Sequence, residues 1–135
     1  MDKSFRLKII TPEGIYFDEP VEGLVVKAMD GDMGILPEHI PLITGLKIGV
    51  LKIKRGGETL ELALGGGFIK VNHNETTIIA KSAERPEEID VDRALAAKKR
   101  AEKRLKLVKE EADVIRIKAA LRRANIRLKV AKKER

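Results

Sequence analysis

The residues of this chain best suited to chemistry are arginines in its C-terminal part. On an α-helix turning about 100° per residue, Asp90, Arg93, Ala97 and Arg100 fall within roughly 80° of arc. Arg116, Arg123 and Arg127 gather in the same way further along. Folding two such helices together would bring these faces into one pocket. Guanidinium groups fork onto phosphate oxygens, and a carboxylate among them can recognise a base or ribose, so the pattern suits a nucleoside triphosphate. The same residues also fit an ordinary solvated helix face, and spacing alone leaves both readings open.

Other chemistries lack their parts. His39 and His73 stand in separate loop-like contexts, with no carboxylate or second histidine at metal-ligand spacing. The chain has no cysteine, which removes disulfides, thiolate nucleophiles and zinc-thiolate sites. Gly65-Gly66-Gly67 leads into the strand-like Phe68-Ile69-Lys70-Val71 and lacks a Lys-Ser/Thr ending, so close strand packing or a bulge explains it better than a phosphate loop. Ser4 and Ser82 sit in no nucleophile-elbow pattern. Nothing positions a water or a metal beside the arginines, which argues against a hydrolase and for a chain without a catalytic site.

The elements that must hold the arginines are helices. After Arg85-Pro86, glycine, proline and aromatic residues cease, and Ala, Lys, Arg, Glu and Leu dominate. Ala94, Ala97, Ala101, Leu105 and Val108 form one narrow apolar stripe, and Ile117, Leu121, Ala124, Leu128 and Ala131 form a second. Between them, Lys109-Glu110-Glu111-Ala112-Asp113 sets a basic helix end against an acidic helix start. Two antiparallel helices joined there are expected over residues 87–135. No glycine or proline enforces the break, so a single helix of roughly 45 residues is open as well.

Residues 1–86 read as strands. Apolar and polar side chains alternate in Phe5-Arg6-Leu7-Lys8-Ile9 and Ile48-Gly49-Val50-Leu51-Lys52-Ile53-Lys54, and further β-branched runs cover residues 24–29, 59–64, 68–71 and 76–80. The short regular spacing predicts an all-β sandwich or barrel of eight to ten strands. Arg55-Gly56-Gly57-Glu58 and Asn72-His73-Asn74-Glu75 are predicted hairpin turns, in a simple meander.

The net charge of +7 belongs to the helical part: residues 1–86 carry 11 Lys/Arg and 12 Asp/Glu, and residues 87–135 carry 17 and 9. A basic segment invites nucleic acid, but this one has no aromatic residue to stack a base, and Glu102, Glu110, Glu111 and Asp113 interrupt it. Nucleic acid is therefore not an expected partner, although a basic nucleic-acid module stays open as an alternative. No apolar run approaches the ~20 residues of a membrane-spanning helix, and the first ten residues lack a signal-peptide core. The mature chain is expected to begin at or near Met1, without membrane insertion.

Across almost its whole length the sequence resembles the ε-subunit family of bacterial F-type ATP synthases. The resemblance is carried by Gly31-Asp32-Met33-Gly34-Ile35-Leu36-Pro37-Glu38-His39-Ile40-Pro41-Leu42-Ile43-Thr44, by Leu7-Lys8-Ile9-Ile10-Thr11-Pro12-Glu13-Gly14, and by Gly65-Gly66-Gly67-Phe68. In the helical part, Ile89-Asp90-Val91-Asp92-Arg93-Ala94 is similar to the Ile/Leu-Asp-x-x-Arg-Ala motif of family members that bind ATP. The resemblance implies an antiparallel β-sandwich of about ten strands over residues 1–86 that docks on the γ subunit and the c-ring, and a regulatory two-helix hairpin over residues 87–135. It implies a peripheral position on the cytoplasmic face of the bacterial plasma membrane. It also implies that the folded hairpin permits ATP hydrolysis, that an extended form reaching the catalytic α and β subunits restrains it, and that bound ATP favours the folded form.

Carried over residue by residue, Glu84 and Asp90 match positions on the adenosine side, and Arg93, Arg100, Arg123 and Arg127 match positions near the nucleotide. ATP is thus the expected regulatory ligand, with magnesium left open. The loop containing Met33, Ile35, Leu36, His39 and Ile40 becomes the candidate contact with the c-ring and γ, its aliphatic residues expected at the surface. A purely structural stalk subunit without nucleotide sensing remains the alternative within the same family.

Overall fold

The computed structural model describes residues 3–134; Met1, Asp2 and Arg135, which the two expected domains include, lie outside the described residues. The alternating sequence produces ten strands: β1 (Phe5–Thr11), β2 (Gly14–Val21), β3 (Gly23–Ala28), β4 (Gly31–Ile35), β5 (Leu42–Leu46), β6 (Gly49–Arg55), β7 (Glu58–Leu64), β8 (Gly67–Val71), β9 (Glu75–Ala80) and β10 (Ala83–Glu84). In β1, Phe5, Leu7, Ile9 and Thr11 face inward, and in β6, Leu51 and Ile53 do so. With Ile35, Leu62, Ile69 and Ile78 they make the sandwich core, each of these aliphatics almost wholly excluded from solvent.

The sheet path runs β10-β7-β6-β3-β5-β8-β9-β1-β2, with β4 paired to β3 alone. It folds over itself, so that Arg55 of β6 donates to Glu19 of β2 at 2.6 Å and lies over the Phe17 ring. Both predicted hairpins form: Arg55 pairs with Glu58 across one, and Val71 with Thr76 near the other. The simple meander does not. β7 and β8 are not neighbours, because Gly65-Gly66-Gly67 carries the chain from one half of the sheet to the other. Gly66 and Gly67 take φ of +95° and +151°, and a Cβ on Gly67 would lie 1.9 Å from the carbonyl oxygen of Ile79. A glycine is needed at this close strand approach. Nor is the sandwich antiparallel throughout, since β1 pairs with β9 in parallel.

A 3-10 turn at Pro86–Glu88 leads into α1 (Val91–Leu105) and α2 (Glu111–Glu134). The Asp90 carboxylate caps α1 by accepting from the Arg93 backbone N–H at 3.0 Å. At the other end the Arg104 carbonyl accepts from the N–H groups of both Leu107 and Val108, closing the turn without a glycine. Acidic Glu111 and Asp113 open α2, where they complement the helix dipole. The break therefore falls at residues 106–110, and this structure is the hairpin.

Ala94 and Ala101 of α1 are buried, as are Ile117 and Ala124 of α2, along the two apolar stripes. A second, smaller cluster docks the hairpin on the sandwich: Val130 and Ala131 pack with Ala63 and Ile89, flanked by Val50, Val91 and Ile126. No described helix is long and apolar enough to cross a membrane.

Candidate functional site

The small residues along the stripes set the flanking arginines in order. Arg93, Arg100 and Arg104 on α1 and Arg116, Arg123 and Arg127 on α2 share one spacing, i, i+7 and i+11, which holds each set within about 40° of arc. Running antiparallel, the helices match Arg93 with Arg127, Arg100 with Arg123, and Arg104 with Arg116 as successive rungs.

Two adjoining clefts lie along these rungs. The first, about 290 Å³, is lined by Glu84, Glu88, Asp90, Arg93, Arg100 and Arg127 over Ala94 and Ala97. The second, about 370 Å³, is lined by Arg100, Arg104, Asp113, Arg116 and Arg123 over Ala97, Ala101, Ile117 and Ala120. Ala97 and Arg100 belong to both.

Carboxylates hold the ends. Arg127 Nε donates to Glu84 Oε1 at 2.5 Å, a half-buried pair that ties α2 to β10. Arg116 pairs with Asp113 at the opposite end. Glu88 accepts from the Arg85 backbone N–H at 2.7 Å and from the Tyr16 hydroxyl, while the Arg85 guanidinium lies 5.9 Å from the Tyr16 ring centroid. Burial, reinforced by the Glu88 hydrogen bond, pushes the Tyr16 phenol well above its ordinary range. Between the ends, Arg93, Arg100, Arg104 and Arg123 have no ion pair among the described residues.

Of the six residues expected at the site, Glu84, Asp90, Arg93, Arg100 and Arg127 line the first cleft. Arg123 lines the second, beside Arg100, and also borders a small gap against Ala63, Leu64 and Ser82. Three charged lining residues, Glu88, Arg104 and Asp113, escaped the sequence reading, in which Asp113 is only the acidic start of the second helix. Arg104 was legible, since it stands four residues beyond Arg100 just as Arg127 stands beyond Arg123. Glu88 lies in a 3-10 turn, where no helical or strand period marks a face.

The expected contact loop is β4 and the loop after it, and it divides differently from expectation. Leu36 and Ile40 are 64% and 75% exposed. Ile35, expected at the surface, is 1% exposed, because its register with Leu24 turns it into the core. Met33 is half-buried against that core. His39 is half-buried too, with Nδ1 2.7 Å from the Ile40 carbonyl oxygen. Among the described residues no cluster of His, Cys, Asp and Glu has the grouping of a metal site.

Residues 4–86 match the family model described as ATP synthase, Delta/Epsilon chain, beta-sandwich domain, and residues 87–132 match the one described as the long alpha-helix domain of the same chain. The chain is 48% identical over 105 residues to the ATP synthase epsilon chain of Desulforamulus reducens, covering 78% of this chain and 80% of that one. It is 49% identical over 104 residues to the ATP synthase epsilon chain of Pelotomaculum thermopropionicum, covering 77% and 78%. Among solved structures, it superposes with a TM-score of 0.81 and 25% identity on a chain of the Euglena gracilis mitochondrial ATP synthase, OSCP/F1/c-ring, covering 98% of this chain and 83% of that one.

Proposed function

The chain belongs to the ATP synthase delta/epsilon chain family, and from that premise we propose that its hairpin is an ATP-responsive switch on a stalk subunit that regulates ATP hydrolysis. As an epsilon-type subunit of ATP synthase it is not an enzyme by itself. The observation that carries the proposal is the convergence of Glu84, Asp90, Arg93, Arg100 and Arg127 on one cleft. These residues come from β10, the α1 cap, α1 and α2, and they meet only while the hairpin is folded onto the sandwich.

A nucleotide in that cleft would bind the folded form alone. Its phosphates would take the guanidinium forks, and the carboxylates would accept from the adenosine side. A ligand with that selectivity stabilises the folded form by about 2.7 kcal/mol at a hundredfold excess over its dissociation constant, which changes populations about a hundredfold. The docking cluster opposes release with only Ile89 and Val130 as large buried side chains. In the released form the arginines are free to pair with acidic surfaces on the catalytic α and β subunits, which accounts for the basic charge of the helices without nucleic acid. The sandwich would dock on γ and the c-ring through the loop bearing Leu36 and Ile40, on the cytoplasmic side of the plasma membrane.

The test is calorimetric titration of the whole chain with ATP, with and without magnesium, and with ADP and a short DNA duplex at physiological salt. The control variant combines Arg93→Ala with Asp90→Asn, since asparagine keeps the α1 cap that alanine would remove. One-to-one ATP binding that the variant loses is expected. Absence of ATP binding refutes the switch and leaves a docking subunit, and steeply salt-dependent DNA binding would point to the nucleic-acid module instead.

A further inference from the structure

We propose that the rung formed by Arg104 and Arg116 is a separate oxyanion subsite for phosphoryl groups beyond the third of a linear phosphoanhydride chain, so that the arginine face reads chain length. The inference rests on reading the first cleft as the nucleotide site. There Glu84, Glu88 and Asp90 form an anionic end that repels phosphate and turns a polyphosphate tail toward Arg100. The cationic run does not stop where that cleft does. From Arg93 to Arg104 it extends about 16 Å along α1, and past Arg100 it runs on into a second cleft. Arg104 stands one full turn past Arg100, in that second cleft of about 370 Å³ with a floor of Ala97, Ala101 and Ala120 beside Ile117. At its far edge Asp113 is ion-paired with Arg116, so a phosphoryl group there would share or displace that carboxylate on the Arg116 fork.

An independent observation is the distribution of the two basic residue types, in which Arg122 is the one arginine of the described helices that lies off the rungs. The groove on the other side of the hairpin is lined by lysines, Lys98, Lys129 and Lys132, beside Leu95 and Leu128. All six rung positions are arginine. General solubility is served equally by either residue, whereas planar forks that grip two oxygens at once are specific to arginine. Arg104 itself has no ion pair among the described residues, so its fork is available. The ligand class is a chain of four or more phosphoryl groups, whether a nucleoside tetraphosphate or free inorganic polyphosphate.

The experiment is titration of the whole chain, and of the Arg104→Gln/Arg116→Gln double variant, with ATP, adenosine 5′-tetraphosphate and inorganic polyphosphate, with circular dichroism to check helix content. The wild type is expected to bind the tetraphosphate about tenfold more tightly than ATP, and the variant to lose that gap while keeping its ATP affinity. Inorganic polyphosphate that matches the tetraphosphate identifies the free polymer as a ligand; preference for the nucleoside form identifies the nucleotide. Equal wild-type affinity for ATP and the tetraphosphate overturns the subsite, and so does a variant that weakens both by the same factor. Polyphosphate binding that depends on Arg104 and Arg116 without any ATP binding keeps the subsite and removes the nucleotide reading of the first cleft. ATP binding with no preference for length does the reverse.

Discussion

Replacing Val130 with alanine should loosen the hairpin from the sandwich while leaving the sandwich intact. Val130 is fully excluded from solvent where α2 meets Ala63 and Ile89, and its neighbour Ala131 contributes little bulk. The substitution removes two carbons worth about 0.8 kcal/mol each, and incomplete collapse of the space adds to that, for a total of about 2 kcal/mol. The sandwich core is a different cluster, centred on Leu7, Ile9, Ile53 and Ile78, so the loss falls on docking. Native-state amide hydrogen exchange reads the two parts separately. Protection of amides in α1 and α2 should fall about 30-fold, at 1.4 kcal/mol per factor of ten, while protection in β1 and β9 stays unchanged. An equal fall across the sandwich would make the chain one cooperative unit and refute the separation. Unchanged protection in the helices would refute the role of Val130 as the anchor.

Asp90→Ala should cost about 1 kcal/mol of α1 stability and speed exchange of the first-turn amides, whereas Asp90→Asn should cost much less, because either oxygen-bearing side chain can accept from the Arg93 N–H. Gly67→Ala should lower stability by about 3 kcal/mol or more in a thermal melt, since the new Cβ meets the Ile79 carbonyl. Gly56→Ala, where a Cβ meets nothing and only the positive φ is strained, should cost about 1 kcal/mol. Tyr16 is the only tyrosine and the chain has no tryptophan, so its phenolate absorbance is unobscured. It should titrate well above the ordinary 10.0 in the folded chain, with the associated stability complete below pH 10.0 and lost as pH rises past it; an ordinary titration would remove the burial and Glu88 contact from the account. Tyr16→Phe should cost about 1 kcal/mol by taking the Tyr16 hydroxyl from Glu88 and leaving it the Arg85 N–H.

The sequence made the inward faces of β1 and β6 legible, as well as both hairpin turns, because period-two alternation and turn chemistry are local signals. Strand partners are not local. Nothing in Leu7 or Ile9 names β9 as the parallel neighbour of β1, and the crossing from β7 to β8 depends on how two halves of a folded sheet approach at Gly67. Ile35 and Leu36 are adjacent aliphatics of one loop motif, and only the pairing of β4 with β3 decides which of them is buried. Helical periodicity carried the site much further. It set Arg93 and Arg100 on one face and Arg123 and Arg127 on another, and the antiparallel turn at residues 106–110 then brought the faces together. The Glu84 pairing with Arg127 spans 43 residues and has no local signal; the family resemblance put both residues at one site but not in contact.

The parallel pairing of β1 with β9 also sets an order of assembly during synthesis. Phe5–Thr11 is made early but sits between β2 and a strand that begins at Glu75, so one of its two edges stays open until most of the sandwich has left the ribosome. Until then Leu7 and Ile9 lack the flanking strand that helps seal them, which makes the nascent chain most prone to wrong pairing before the helices exist. The hairpin, which follows in the chain and is held by a small cluster, then folds onto a finished surface.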